Sequence, residues 1–196
     1  MSRSEPDDRT RFEALYGGSR ADLLAYFLRR VEQSADAADL LTETFLVAWR
    51  RIDRVPAGPD GRLWLFGVAR KVLANHRRAE RTGQQLATTL RGVLTVQAGH
   101  RAGSEPDTAT VLAVRAALDR LTPADREVMM LTAYEEFTPG EIAHVTGRSA
   151  ASVRVRLHRA RRRVAADLNL PAEGRTGDGG APWASVVQLR DSTSTP

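Results

Sequence analysis

Between Arg148 and Asp167 the chain carries Arg154, Arg156, Arg159, Arg161, Arg162 and Arg163 and no acidic residue. Without a carboxylate on the same helix, these cations repel one another unless a polyanion neutralises them, and nucleic acid is the polyanion that fits best. A second cationic set lies upstream, where Arg70, Lys71, Ala74, Arg77, Arg78 and Arg81 share a predicted helix face, with Asn75 near its edge and Trp64 beside the column of Lys71 and Arg78. An indole on which a base can stack, next to cations that hold the adjoining phosphates, suits unpaired nucleic acid. Burial in the core is the commoner fate of a tryptophan. A third surface is acidic: Asp36, Asp39, Glu43, Leu46 and Arg50 lie opposite Leu41 and Phe45. A leucine among carboxylates fits either a partner site or a plain solvated face.

These groups need helices to place them. At about 100° per residue, Val153, Leu157, Ala160, Val164 and Leu168 form one stripe of a helix whose remaining circumference is basic. Ser149 caps its start, and Gly147 allows the left-handed turn before it. Upstream, Thr138 as N-cap, Pro139 at the first position and Glu141 three residues on form a capping box, so residues 138–168 read as a helix-turn-helix. Thr122-Pro123-Ala124-Asp125 starts another helix that runs to Tyr134, preceded by one from Val111 to Leu121. In the first half, helical periodicity runs from Thr10 to Val31, interrupted or weakened at Gly17-Gly18. A second helix from Ser34 to Ile52 buries Leu41, Phe45, Ala48 and Ile52, and a third from Leu63 to Arg81 buries Leu65, Val68, Ala69, Val72 and His76. The Pro- and Gly-rich stretch 53–62 separates them.

The expected fold is all-α, with two small helical domains at 10–81 and 111–170, a flexible linker at 82–110 carrying a short helical piece near Leu86 to Val96, and a disordered tail at 171–196 whose Trp183, Val186, Val187 and Leu189 form a lone apolar island. The 196 residues give neither half a large core. Net charge is +5, but basicity is local: residues 138–170 set seven arginines against Glu141 and Asp167, which marks a binding surface. The chain has no cysteine, so disulfides and thiolate metal sites are excluded. His76, His100, His144 and His158 show no metal-ligand spacing, and neither a phosphate-cradling Gly-rich loop nor a nucleophile elbow occurs. No catalytic residue, metal or cofactor is therefore expected. No apolar run reaches membrane-spanning length and the N-terminus lacks a signal-peptide core, so a cytoplasmic protein without membrane attachment is expected.

DAADLLTETFLVAWRRID (Asp36 to Asp53), RLWLFGVARKVLANHRR (Arg62 to Arg78) and the span from Leu118 to Leu168 occur in the order of regions 2 and 4 of the extracytoplasmic-function sigma factors, and the chain resembles that two-domain branch of the sigma-70 family. SVRVRLHRARRRV is close to the family's recognition-helix signature. The resemblance implies a transcription initiation factor that binds core RNA polymerase, at its β′ clamp and β flap regions, and directs it to promoter DNA. By the match, Asp39, Glu43 and Leu46 belong to the polymerase-binding helix, with Phe45 inward. Trp64, Arg70, Lys71, Asn75, Arg77 and Arg78 fall at the minus-10 element, and Ser149, Ser152, Arg154, Arg156 and Arg159 at the minus-35 element. Many family members also have an anti-sigma factor as partner.

Three positions depart from the family pattern. Thr42 stands where Gln is common, Lys71 where Asn is frequent, and Arg148 where an aliphatic residue usually precedes Ser149. Lysine donates but cannot accept hydrogen bonds as asparagine can, so base preference at the minus-10 element does not carry over. The main rival is a conventional helix-turn-helix DNA-binding regulator with residues 10–81 as ligand or dimerisation domain. A nucleic-acid-processing enzyme lacks the clustered acids it would need.

Overall fold

The computed structural model describes residues 5–90 and 109–168, with side chains over 7–82 and 112–168. Among the described residues every regular element is a helix and none is a strand, and the chain divides into two compact units, one through Gly103 and the other from Ser104. The expected tail at 171–196, with Trp183, Val186, Val187 and Leu189, lies outside the described residues, as does the linker from Arg91 to Thr108.

The first unit holds α1 (Glu5–Leu28), α2 (Ser34–Arg50), a 3-10 turn (Ile52–Arg54) and α3 (Pro59–Leu90), the three long helices each packing on the other two. α1 runs unbroken through Gly17-Gly18, at neither of which would a Cβ meet any neighbour. The glycine pair costs about 1 kcal/mol per residue in propensity, and the flanking contacts override it. On one side Phe12 and Tyr16 meet Phe45, at 6.1 and 4.7 Å between ring centroids; on the other, Leu23, Tyr26 and Phe27 are buried.

Because α2 is wedged between α1 and α3, its buried arc is wide: Ala37, Leu40, Thr44, Phe45 and Ala48. Leu40 takes the inward place expected of Leu41, which is only half-buried. The buried Thr44 hydroxyl is satisfied by donating to the Leu40 carbonyl at 2.7 Å. α3 starts earlier and ends later than its periodicity suggests. Its early start depends on Gly61, where a Cβ would lie 2.8 Å from the Pro56 carbonyl oxygen. At its far end it continues to Leu90, into residues expected to be linker.

The second unit is α4 (Ala109–Asp119), α5 (Pro123–Ala133), α6 (Pro139–Thr146) and α7 (Ala150–Asp167), with α7 packed against the other three. Val153, Leu157, Ala160 and Val164 are its buried stripe, and they close on Val128, Met129, Leu131 and Ile142, all buried. Leu168 is half-buried. Among the described residues no helix is long and apolar enough to cross a membrane.

Candidate nucleic-acid and partner interfaces

The helix-turn-helix forms from local chemistry. Thr138 Oγ1 accepts from the Glu141 amide at 3.3 Å while Glu141 Oε2 accepts from the Thr138 amide at 2.8 Å, so the capping box is complete. Gly147 ends α6 at φ 66°, which a residue with a Cβ adopts only under strain. The Arg148 amide then donates to the Ala143 carbonyl at 3.0 Å. Ser149 Oγ accepts from the Ser152 amide at 3.2 Å and starts α7. The turn is fixed at both ends, which aims the outer face of α7.

On α7 the expected minus-35 residues separate. Ser149 and Arg154 are exposed, and Ser152 is half-buried. Arg156 and Arg159 are not lone cations seeking an anion, because Asp125 of α5 lies beneath them. Arg156 donates to Asp125 Oδ1 at 3.0 Å, and Arg159 donates to Oδ1 and Oδ2 at 2.8 and 3.1 Å. The Asp125 side chain is wholly buried, while Arg156 and Arg159 keep 24% and 47% of theirs exposed. Burial pushes the Asp125 carboxyl upward, but hydrogen bonds from Arg159, Thr122 and Arg156 and the charge of Arg159 outweigh it and hold the group below the ordinary carboxylate range. The expectation that these arginines lack an acidic partner held only within α7; the partner comes from another helix. Arg156 follows the edge of the buried stripe, so its guanidinium turns inward, whereas Arg159 lies further round and still reaches solvent.

The side of α7 opposite its core presents Ala151, Arg154, Val155, His158 and Arg162, all exposed. Val155 is 63% exposed, an apolar side chain set among cations, and the arginine pattern gave no reason to single it out. Donors from arginine with an apolar tip between them suit base edges and methyl groups in a major groove.

On α3, Lys71, Asn75 and Arg78 are exposed in one row with the half-buried Trp64 at its head, so the indole is neither lost in the core nor freely solvated. Arg70 and Arg77 lie on the flank toward α1. Arg70 is half-buried, and Arg77 donates to the Arg30 carbonyl at 3.1 Å just beyond the C-terminus of α1, where a cation is favoured. Arg30 in turn stands 3.7 Å over the Tyr26 ring. Arg77 thus ties α3 to α1 as well as adding charge.

On α2, Asp39, Glu43 and Arg50 are exposed, and Leu46 is 48% exposed. Phe45 points inward, as expected. Beside Leu46 lies Trp49, 46% exposed and edge-on to Phe12 at 5.2 Å. Sequence reasoning passed over Trp49, although its position one turn from Leu46 was legible. An acidic strip flanked by an exposed leucine and indole has the composition of a partner surface. Asp36 is half-buried and turns toward α3.

Residues 15–82 match the family described as Sigma-70 region 2, and residues 112–164 the one described as Sigma-70, region 4. The chain is 33% identical over 155 residues to the ECF RNA polymerase sigma factor SigL of Mycobacterium tuberculosis, covering 74% of this chain and 81% of that one. Its fold is similar to that of CnrH solved with the cytosolic domain of CnrY, at TM-score 0.57 and 24% identity, covering 81% of this chain and 87% of the other. It is also similar to RpoE solved with the anti-sigma factor NepR from Bartonella quintana, at TM-score 0.53 and 20% identity, covering 84% and 98%.

Proposed function

The chain belongs to the sigma-70 family, in its extracytoplasmic-function branch, and from that premise we propose how its two units divide the work of an alternative sigma factor that directs transcription initiation. Asp39, Glu43 and Leu46 of α2 dock on the β′ clamp region of core RNA polymerase. The carboxylates select a basic partner surface, and Leu46 with Trp49 supplies area that is desolvated on contact. The row of Trp64, Lys71, Asn75 and Arg78 on α3 takes up unpaired bases of the minus-10 element, the indole stacking and the cations holding phosphates, with Arg70 and Arg77 adding charge from the flank. The outer face of α7 enters the major groove of the minus-35 element. Ser149, Arg154 and Arg159 contact DNA there, while Ser152 supports the first turn and Arg156, through Asp125, fixes how α7 sits on its unit.

The protein acts by binding alone and supplies no catalytic group or cofactor. It works in the cytoplasm, with the β flap region as the partner of the second unit and an anti-sigma factor as its regulator. The observation that carries this reading is the presence on one chain of a doubly capped helix-turn-helix and a separate row of indole, lysine, asparagine and arginine. A conventional regulator needs the first and has no use for the second. The test is permanganate reactivity of thymines on promoter DNA with core polymerase. Opening that requires this protein and is lost in Trp64→Ala supports the reading. Tight, sequence-specific duplex binding by the protein alone, with no opening by the complex, supports the conventional regulator instead.

A further inference from the structure

Where α2 begins, its first turn meets α3 at a group of side chains that the DNA- and polymerase-facing surfaces leave unused. Asp36, His76 and Glu80 each offer one ligand atom, and these atoms lie within 4.8 Å of one another. His76 Nε2 stands 3.4 Å from Glu80 Oε1, one helical turn along α3. That nitrogen is buried and has no hydrogen-bond partner. Asp36, half-buried, makes no hydrogen bond or ion pair among the described residues. A buried imidazole nitrogen facing two carboxylates is poorly satisfied as it stands: its lone pair repels the carboxylate oxygens, and its N–H, if present, is not aligned on either.

We infer that Asp36, His76 and Glu80 bind a divalent transition-metal ion of the zinc class. One imidazole nitrogen and two carboxylate oxygens are a donor set for Zn²⁺, Co²⁺ or Ni²⁺, whereas Mg²⁺ and Ca²⁺ prefer oxygen alone. Ligands about 2.0–2.2 Å from a zinc ion lie roughly 3.3 Å from one another in a tetrahedral arrangement. The His76–Glu80 spacing already meets this, and Asp36 needs to close by up to about 1.5 Å, within reach of a χ1 adjustment in the first turn of a helix. Three protein ligands leave a further position for water. The two carboxylates offset the positive end of the α2 dipole, which by itself disfavours a cation.

His76 and Glu80 are spaced i, i+4 on α3 and the third ligand comes from α2, so no run of sequence displays the set. The ion joins the two helices at the end of the acidic strip, and its presence tightens α2 on α3. Metal binding stands independently of the transcription reading, and so does its test.

Isothermal titration of Zn²⁺ into the full, untagged chain is the direct measurement, with Co²⁺ as a spectroscopic probe and Mg²⁺ as the control. The expected result is one saturable Zn²⁺ per chain, visible-region Co²⁺ bands displaced by Zn²⁺, a raised melting temperature, and no response to Mg²⁺. Binding should be lost in His76→Gln and Glu80→Gln, weakened at least about tenfold in Asp36→Asn, and retained in His144→Gln. Circular dichroism verifies that each variant is helical. Absence of saturable Zn²⁺ binding overturns the inference, as does equal binding of Mg²⁺ or binding that persists unchanged in both His76→Gln and Glu80→Gln.

Discussion

Replacing Asp125 by asparagine removes the charge that holds Arg156 and Arg159 while keeping size and one acceptor. Breaking a buried ion pair by deleting one partner costs about 3–5 kcal/mol when both ends are dry. Here Asp125 is dry, but its arginines are 24% and 47% exposed and regain water when released. The expected loss is therefore smaller, about 2 kcal/mol, or roughly a 30-fold rise in local opening. The two units need not unfold together, so a single melting curve would mix them. Amide hydrogen exchange resolves them: protection should fall across α5 and α7 and remain unchanged in α1 to α3. The pH dependence is a second signature. The folded carboxyl is held below its ordinary value, so its contribution is fully present above the unfolded pKa of about 3.9 and is lost as pH falls through the folded value. Wild type and Asp125→Asn should differ by a constant amount from pH 5 upward, at about pH 5–8, and converge in acid below that range. Unchanged protection of α7 in the variant at neutral pH would refute the claim that this carboxylate holds the helix.

Arg154→Ala should lower the slope of log affinity against log salt by about 1 with α7 protection intact, while Arg156→Ala should act first on α7 protection; the reverse assignment of effects would show that the two flanks of α7 have been exchanged. Asp39→Arg combined with Glu43→Arg should weaken core polymerase binding by roughly tenfold or more in a competition assay, and unchanged affinity with retained helicity would remove α2 from that interface. Trp64→Ala should shorten the lifetime of the open complex at least about tenfold through loss of one stacking platform, whereas a defect that a pre-melted template does not rescue at all would argue against a role in opening. Gly61→Ala should destabilise the first unit by roughly 1–3 kcal/mol, because the new Cβ must displace the Pro56 carbonyl; an unchanged thermal transition would mean that the 56–60 stretch yields freely.

The features legible in sequence were those set by contacts a few residues apart. The caps at Thr122, Thr138 and Ser149 and the left-handed Gly147 stand where residue type demands them, because each cap is a side-chain oxygen meeting the amide three positions on and the turn needs only a residue without a Cβ. The buried stripe of α7 was legible for the same reason. Features set by distant partners were not. Gly17-Gly18 left open whether α1 is interrupted or only weakened, yet it runs through the pair because Phe45 from α2 holds Phe12 and Tyr16 before it and Leu23, Tyr26 and Phe27 are buried after it. Leu40 replaced Leu41 inside because α2 is covered on two sides, which periodicity alone cannot reveal. The pairing of Asp125 with Arg156 and Arg159 spans more than thirty positions. A carboxylate at the third position of a capped helix reads as part of the cap, as Glu141 is in α6. Its commitment to α7 needed the structure.

The measurement that bears most directly on the central claim is start-site mapping of transcripts made by purified core RNA polymerase from a genomic promoter library, with and without this protein. The expected result is a set of start sites that appear only when the protein is present, share a pair of upstream elements at fixed separation, and lose the upstream element's influence in Arg154→Ala. Identical transcripts in both reactions, together with site-specific duplex binding by the protein alone, would contradict it.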